Sequence, residues 1–319
     1  QDSITYIAAE NRYMDGDCQK AISSFGNYIQ KFPSGAFLVS ANFYKAECDY
    51  KSGNIADALV GYEYVLTTPK CKFSEKALLN SADIAYKQKN YEKALSYYQR
   101  LDTTAEFNNN ILTARIGIMR NSYQLNKYNI AIAASNVLLN TPKISNETID
   151  EAHYTIAKSS LAIDSISTAQ TEFSLLAKSK NGELSSEAKY YIAFIQYKMG
   201  NYIKAESIIY EYISAAPSSE YWLAKILILW SDIYVQQANY PQAKATLQSI
   251  IDKYEGAELI KIANDKYNAI LTLEKQAEEQ KKKEKEDKEK AEKEKENEIK
   301  INLDKNTDES NPKPNNLNF

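Results

Sequence analysis

Glycine and proline are scarce in this chain, nine and seven among 319 residues. An all-β domain needs many tight turns, and those turns draw on these two residues, so an all-β fold is disfavoured. Arginine is scarcer still, present only as Arg12, Arg100, Arg115 and Arg120, and the formal net charge is −3. No basic excess exists to neutralise phosphates, and nucleic acid is not an expected partner. No run of about 18 apolar residues occurs, so no transmembrane span is expected. Histidine occurs once, at His153, and the three cysteines, Cys18, Cys48 and Cys71, have no C-x-x-C spacing. Such a set does not build a metal site, and no cofactor is expected. The cysteines read as small, half-buried packing residues, with one disulfide plus a free thiol as the alternative. They do not reveal the compartment. G-x-S-x-G motifs and phosphate-cradling glycine loops are missing. Asp150 and Glu151 fall at a helix start, where carboxylates favour the dipole without any catalytic role. The expectation is a non-catalytic protein. The chain opens on Gln1 with no signal-peptide pattern, which reads as a processed form or an excised piece.

What the chain does have is a period. "YKSGNIADA" (Tyr50–Ala58) returns as "YKMGNYIKA" (Tyr197–Ala205). The alanine ending each stretch recurs as Ala21, Ala58, Ala94, Ala131, Ala169, Ala205 and Ala243, at gaps of 36 to 38 residues. Twelve positions earlier stand Ala9, Ala46, Ala82, Met119, Ala157, Ala193 and Ser231, nearly all small. Eight earlier stand Tyr13, Tyr50, Tyr86, Tyr123, Leu161, Tyr197 and Val235; four later come Phe25, Tyr62, Tyr98, Ser135, Phe173, Ile209 and Leu247.

Positions four apart share one helix face, so each period spells two helices facing through small residues. Alanine lets the two axes approach closely while larger neighbours fill the flanks. Five before each anchor, residues such as Gly16, Gly53, Asn126, Asp164 and Gly200 suit a left-handed helix end. Pro33, Pro69, Pro142 and Pro217 fall where the second helix must stop, and Pro241 falls in a first helical turn. One hairpin cannot bury both faces, so the hairpins are expected to stack into an all-α solenoid.

The columns "A-x-[FY]-x-x-A-x-x-x-Y-x-x-G-[ND]-[YI]-x-x-A", taken from Ala41–Ala58 and Ala188–Ala205, resemble the tetratricopeptide repeat. That resemblance covers about residues 3–255 and implies a right-handed solenoid of about seven hairpins. The long period and the closing "KFPSG" and "AAPSSE" loops are similar to BamD-type outer-membrane assembly lipoproteins and to Tol–Pal-associated periplasmic repeat domains. This implies a bacterial periplasm or the periplasmic face of an outer membrane, with the cytoplasm as alternative. The Lys-, Asn-, Ile- and Tyr-rich, Arg-poor composition fits a bacterium with an AT-rich genome. The copies holding Ser135, Leu161 and Val235 depart from the family pattern.

Three regions follow: residues 1–273 as solenoid plus capping helix, 274–301 as an exposed Lys/Glu helix, and 302–319 as a disordered tail. From Glu274 on, 12 lysines face 14 acids, too balanced for a strong field. The resemblance implies a protein or peptide ligand in a concave groove lined by the first helices. The expected lining is Tyr13, Glu47, Tyr50, Asp83, Tyr86, Arg120, Tyr123 and Lys158, acidic first and basic later. Two plainer readings stand beside it: tyrosines as wedges between helices, and charges as solvated faces. Reversing Glu47 together with Asp83 is expected to slow association without unfolding the protein. The "carboxylate clamp" pattern is absent, since Glu and Asp occupy the relevant column. The expected function is a scaffold or adaptor, plausible in outer-membrane assembly. The alternative is a structural, oligomerising component or a non-catalytic part of a longer chain.

Overall fold

The computed structural model describes residues 1–308, and among them are fifteen α-helices and no strand. The first helices of the hairpins are α1 (Asp2–Met14), α3 (Leu38–Lys51), α5 (Ser74–Lys87), α7 (Asn108–Gln124), α9 (Asn146–Ala162), α11 (Gly182–Lys198) and α13 (Glu220–Gln236). The second helices are α2 (Cys18–Lys31), α4 (Ile55–Thr67), α6 (Tyr91–Thr104), α8 (Tyr128–Leu139), α10 (Ile166–Leu176), α12 (Tyr202–Ser214) and α14 (Tyr240–Lys253). A last helix, α15, runs from Ala257 to Asp308. The chain forms two compact units, residues 1–195 and residues from 196 on, divided within α11.

All seven anchor alanines lie on second helices and are fully buried, as are the seven residues twelve positions before them on the first helices. Within the first unit, Phe25, Tyr62 and Phe173 fill the flanks at zero exposure, each burial worth roughly 1.5–3 kcal/mol. Gly61 shows how near the axes come. A Cβ there would stand 2.7 Å from the Asn42 carbonyl oxygen and 2.8 Å from the Ala46 Cβ.

The turn between paired helices is the same in every copy. Gly16, Gly53, Lys89, Asn126, Asp164, Gly200 and Ala238 all have φ between +55° and +83°. The left-handed residue redirects the chain, and the next N–H returns to a carbonyl five residues back, as Asn54 does to Asp49 and Asn239 to Tyr234. Three copies use glycine. The rest tolerate a conformation that costs an L-residue about 1–2 kcal/mol.

The cysteines depart from the packing reading. Cys18, opening α2, is joined to Cys48 in α3 by a disulfide with a Cα–Cα distance of 5.0 Å. Its two ends come from successive hairpins, and only their stacking brings them within range. Cys71 is a free thiol that accepts a contact from the Ser74 hydroxyl.

In the second unit, α13 and α14 pack on the start of α15 through Leu259, Ala263 and Ile270. Lys266 to Asp232 and Lys244 to Glu274, at 2.6 and 2.5 Å, hold that cap. From residue 278 to residue 300 the side chains of α15 are exposed. The helix continues through residues 302–308, where a tail was expected, because no glycine or proline interrupts it there. The remaining expected tail, 309–319, lies outside the described residues.

Candidate functional site

The expected lining residues all lie on first helices, and the neighbouring hairpins give them different roles. Tyr13 is a wedge: its ring packs 4.5 Å from Tyr44, with the Lys51 ammonium over it. Tyr50 donates its hydroxyl to Asp83 at 2.8 Å, and Asp83 also pairs with Lys87 at 2.7 Å. Tyr86 stays 37% exposed beside Tyr91. Tyr123 is half-buried against Tyr128. Lys158 lies over the Tyr191 ring, 4.1 Å from its centroid, and donates to the Tyr191 hydroxyl at 2.5 Å.

Glu47 requires a correction. It is only 5% exposed, and its carboxylate accepts from the Tyr62 hydroxyl at 2.6 Å, from Asn80 at 3.0 Å and from Lys76. It is a framework residue and not a free groove charge. Reversing it would set a buried cation beside Lys76, so tolerance of the double reversal is no longer expected.

The acidic-to-basic column is also neutralised locally. Asp83 has Lys87, Arg120 has Glu151, Lys158 has Glu187 at 3.7 Å, and Asp232 has Lys266. Many of these bonds tie one first helix to the next. Glu47–Lys76 and Tyr50–Asp83 join α3 to α5; Arg120–Glu151 joins α7 to α9; Lys158–Tyr191 and Tyr154–Glu187 join α9 to α11. The partners Lys76, Asn80, Glu187 and Tyr191 were not singled out from sequence, and Glu151 was read only as a carboxylate at a helix start. Their signal was a recurrence 29 to 33 residues downstream, visible in these separations.

Asp83, Tyr86 and Arg120 do meet. They border a cleft of about 300 Å³ between α5 and α7, floored by Tyr98 of α6, with Thr113, Ile116, Gly117 and Asn121 completing it. Burial first, and then the Asp83 charge, pushes the Tyr98 hydroxyl above the usual phenol range. Glu151 holds the Arg120 guanidinium through two oxygens and keeps it firmly protonated. A second cleft, about 570 Å³, opens between the starts of α9 and α11 and carries Glu147, Asp150, Glu151, Glu183 and Glu187 around Tyr154. Lys180 lines it as well, and Glu151 and Glu187 are already paired with Arg120 and Lys158. His153 belongs to neither: its Nδ1 lies 2.6 Å from Glu172 within the α9–α10 hairpin. No helix among the described residues is long and apolar enough to cross a membrane.

Comparison with known proteins bears on the repeats and the fold. The tetratricopeptide repeat family matches residues 76–103 and 227–257, within the α5–α6 and α13–α14 regions. No curated protein matches the chain. Among solved structures, the C-terminal part of a repeat-containing protein from Cytophaga hutchinsonii is similar at 14% identity, over 80% of this chain and 98% of that one, with a TM-score of 0.52. The apo form of RapI is similar at 13% identity, over 82% and 79%, also with a TM-score of 0.52. A tetratricopeptide repeat protein from Parabacteroides merdae shares 17% identity over 85% and 98%, with a TM-score of 0.42. At these identities the first two likenesses are ones of fold alone.

Proposed function

The chain carries tetratricopeptide repeats, a scaffold for protein–protein interaction, and on that premise we propose a non-catalytic adaptor that holds a partner protein on the first-helix face of its first unit. The observation that carries this reading is the convergence of Asp83, Tyr86 and Arg120 on one cleft. Aromatic side chains with wet edges, set between fixed opposite charges, suit protein contacts better than catalysis. No nucleophile–base pair or cofactor cradle is needed for this role.

We place this adaptor in the bacterial envelope, on the periplasmic side, with an outer-membrane assembly complex as its setting. The Cys18–Cys48 disulfide supports the compartment, because such bonds persist where the surroundings are oxidising. Photoreactive residues installed at Tyr86 and, as a control, at the exposed Tyr210 of α12 test the adaptor reading in cells. Tyr86 should capture one envelope protein that Tyr210 does not. Identical capture profiles would overturn it. Alkylation of intact cells without reductant should modify Cys71 and spare Cys18 and Cys48; labelling of all three would remove the support for an oxidising compartment.

A further inference from the structure

The ladder of bonds between successive first helices lacks a rung. α3 is tied to α5, α7 to α9 and α9 to α11 by bonds between side chains, but among the described residues no side chain of α5 pairs with a side chain of α7; α5 holds only the entry to α7, where the Glu75 carboxylate accepts from the Glu106 and Phe107 N–H groups. The two residues placed for it are committed elsewhere: Asp83 to Lys87 of its own helix and to Tyr50, Arg120 to Glu151 on α9. The 300 Å³ cleft occupies that gap.

Two polar groups of nearly buried residues border the cleft, and one of them, the Asn121 Oδ1, is a sealed atom without a partner. Tyr98 is 8% exposed, and its hydroxyl makes no hydrogen bond. Asn121 is fully buried; its Nδ2 donates to the Gly117 carbonyl at 2.7 Å, and its Oδ1 receives no donor. A buried acceptor left empty is costly, and this one calls for a donor. The walls are aromatic and aliphatic: the Tyr86 and Tyr98 rings and Ile116. Gly117 keeps α7 close to that floor, since a Cβ there would stand 2.4 Å from the Tyr98 ring.

We propose that this cleft is an anchor pocket for one polar-tipped aromatic side chain, a tyrosine or tryptophan, carried by an extended segment of the partner protein. The inference rests on the adaptor reading above and names its ligand. The ring packs against Tyr86, Tyr98 and Ile116. Its O–H or N–H donates to the Asn121 Oδ1, which lacks a donor. The segment's backbone amide lies between the Asp83 carboxylate and the Arg120 guanidinium and so completes the missing rung. A phenylalanine would fill the space and leave the polar atoms unpaired. A lysine or a glutamate would bring a charge beside Asp83 and Arg120, which are already paired with Lys87 and Glu151, and is disfavoured by the cost of desolvating it.

The test uses the full chain and three probes: N-acetyl-tyrosinamide, N-acetyl-phenylalaninamide and N-acetyl-glycinamide, followed by the NMR signal of the Ile116 methyl group. The tyrosine probe should shift that signal saturably, with a dissociation constant on the order of a millimolar. The phenylalanine probe should bind about fivefold to tenfold more weakly, the worth of one hydrogen bond. The glycine probe should leave the signal unmoved. Thr113→Trp, at an exposed rim position, should abolish the response while leaving the melting temperature unchanged. Equal binding of the tyrosine and phenylalanine probes, no saturable shift, or an undiminished response in Thr113→Trp would overturn the proposal. If the cell experiment at Tyr86 still captures its partner while the tyrosine probe fails, the adaptor reading survives and the anchor pocket does not.

Discussion

Arg120 of α7 holds Glu151 of α9 by two parallel hydrogen bonds, from Nε at 2.6 Å and from a terminal nitrogen at 2.8 Å. Glu47 is also paired across first helices, by a single bond from the Lys76 ammonium, and the settings differ. Glu151 is one-third exposed, and Glu47 is nearly sealed.

That difference sets the first prediction. Glu151→Ala should cost at most about 1 kcal/mol, because water takes over both partners. Glu47→Ala should cost about 2–4 kcal/mol, since the cavity and the Tyr62 and Asn80 groups it leaves stay buried. Urea midpoints of the two variants compared side by side check the ranking, and equal shifts would contradict it.

Reducing the Cys18–Cys48 bond should loosen the first hairpin. A closed span of 30 residues corresponds to about 3–4 kcal/mol of lost restraint on the unfolded chain. Hydrogen exchange with and without reductant should show faster exchange confined to α1, α2 and the start of α3. A change spread evenly over the first unit would argue against a local staple.

The left-handed turns predict opposite outcomes for mirrored substitutions. Gly53→Ala should destabilise by about 1 kcal/mol, although its Cβ would meet nothing within 4 Å, because the cost is backbone strain alone. Ala238→Gly should stabilise by up to about 1 kcal/mol, since glycine relieves the strain at φ +55°. Thermal melts of both variants would settle the sign.

Alkaline pH should unfold the protein through its buried tyrosines. Burial, joined by neighbouring carboxylates, raises the Tyr62, Tyr97 and Tyr154 hydroxyls above the ordinary phenol value. The folded state therefore keeps protons that the unfolded chain has lost. Their contribution is complete below about pH 10 and is lost as pH climbs from there toward the raised folded values. Absorbance at 295 nm should show these phenols ionising together with the loss of helical circular dichroism. Ionisation of all 25 tyrosines before any unfolding would exclude the mechanism.

The hairpins, their order and their turns were legible in the primary structure because each is decided locally. An alanine at a helix contact, a bulky residue one turn away and a residue suited to positive φ act within about twenty positions, and all three recur with the period. Even Lys89 and Ala238, poor left-handed residues, follow the rule at their place in the repeat. The identity of a free charge was not legible. Glu47, Asp83 and Arg120 occupy equivalent positions, yet one is buried, one bonds along its own helix and across to α3, and one reaches the next hairpin. Tertiary stacking decides this, because partners such as Lys76 for Glu47, Tyr50 for Asp83 and Glu151 for Arg120 come from the neighbouring repeat. The Cys18–Cys48 bond and the gap between α5 and α7 arise in the same way. Burial and partnership are properties of neighbours in space, and a period along the chain says only which residues are alike, not what each one meets.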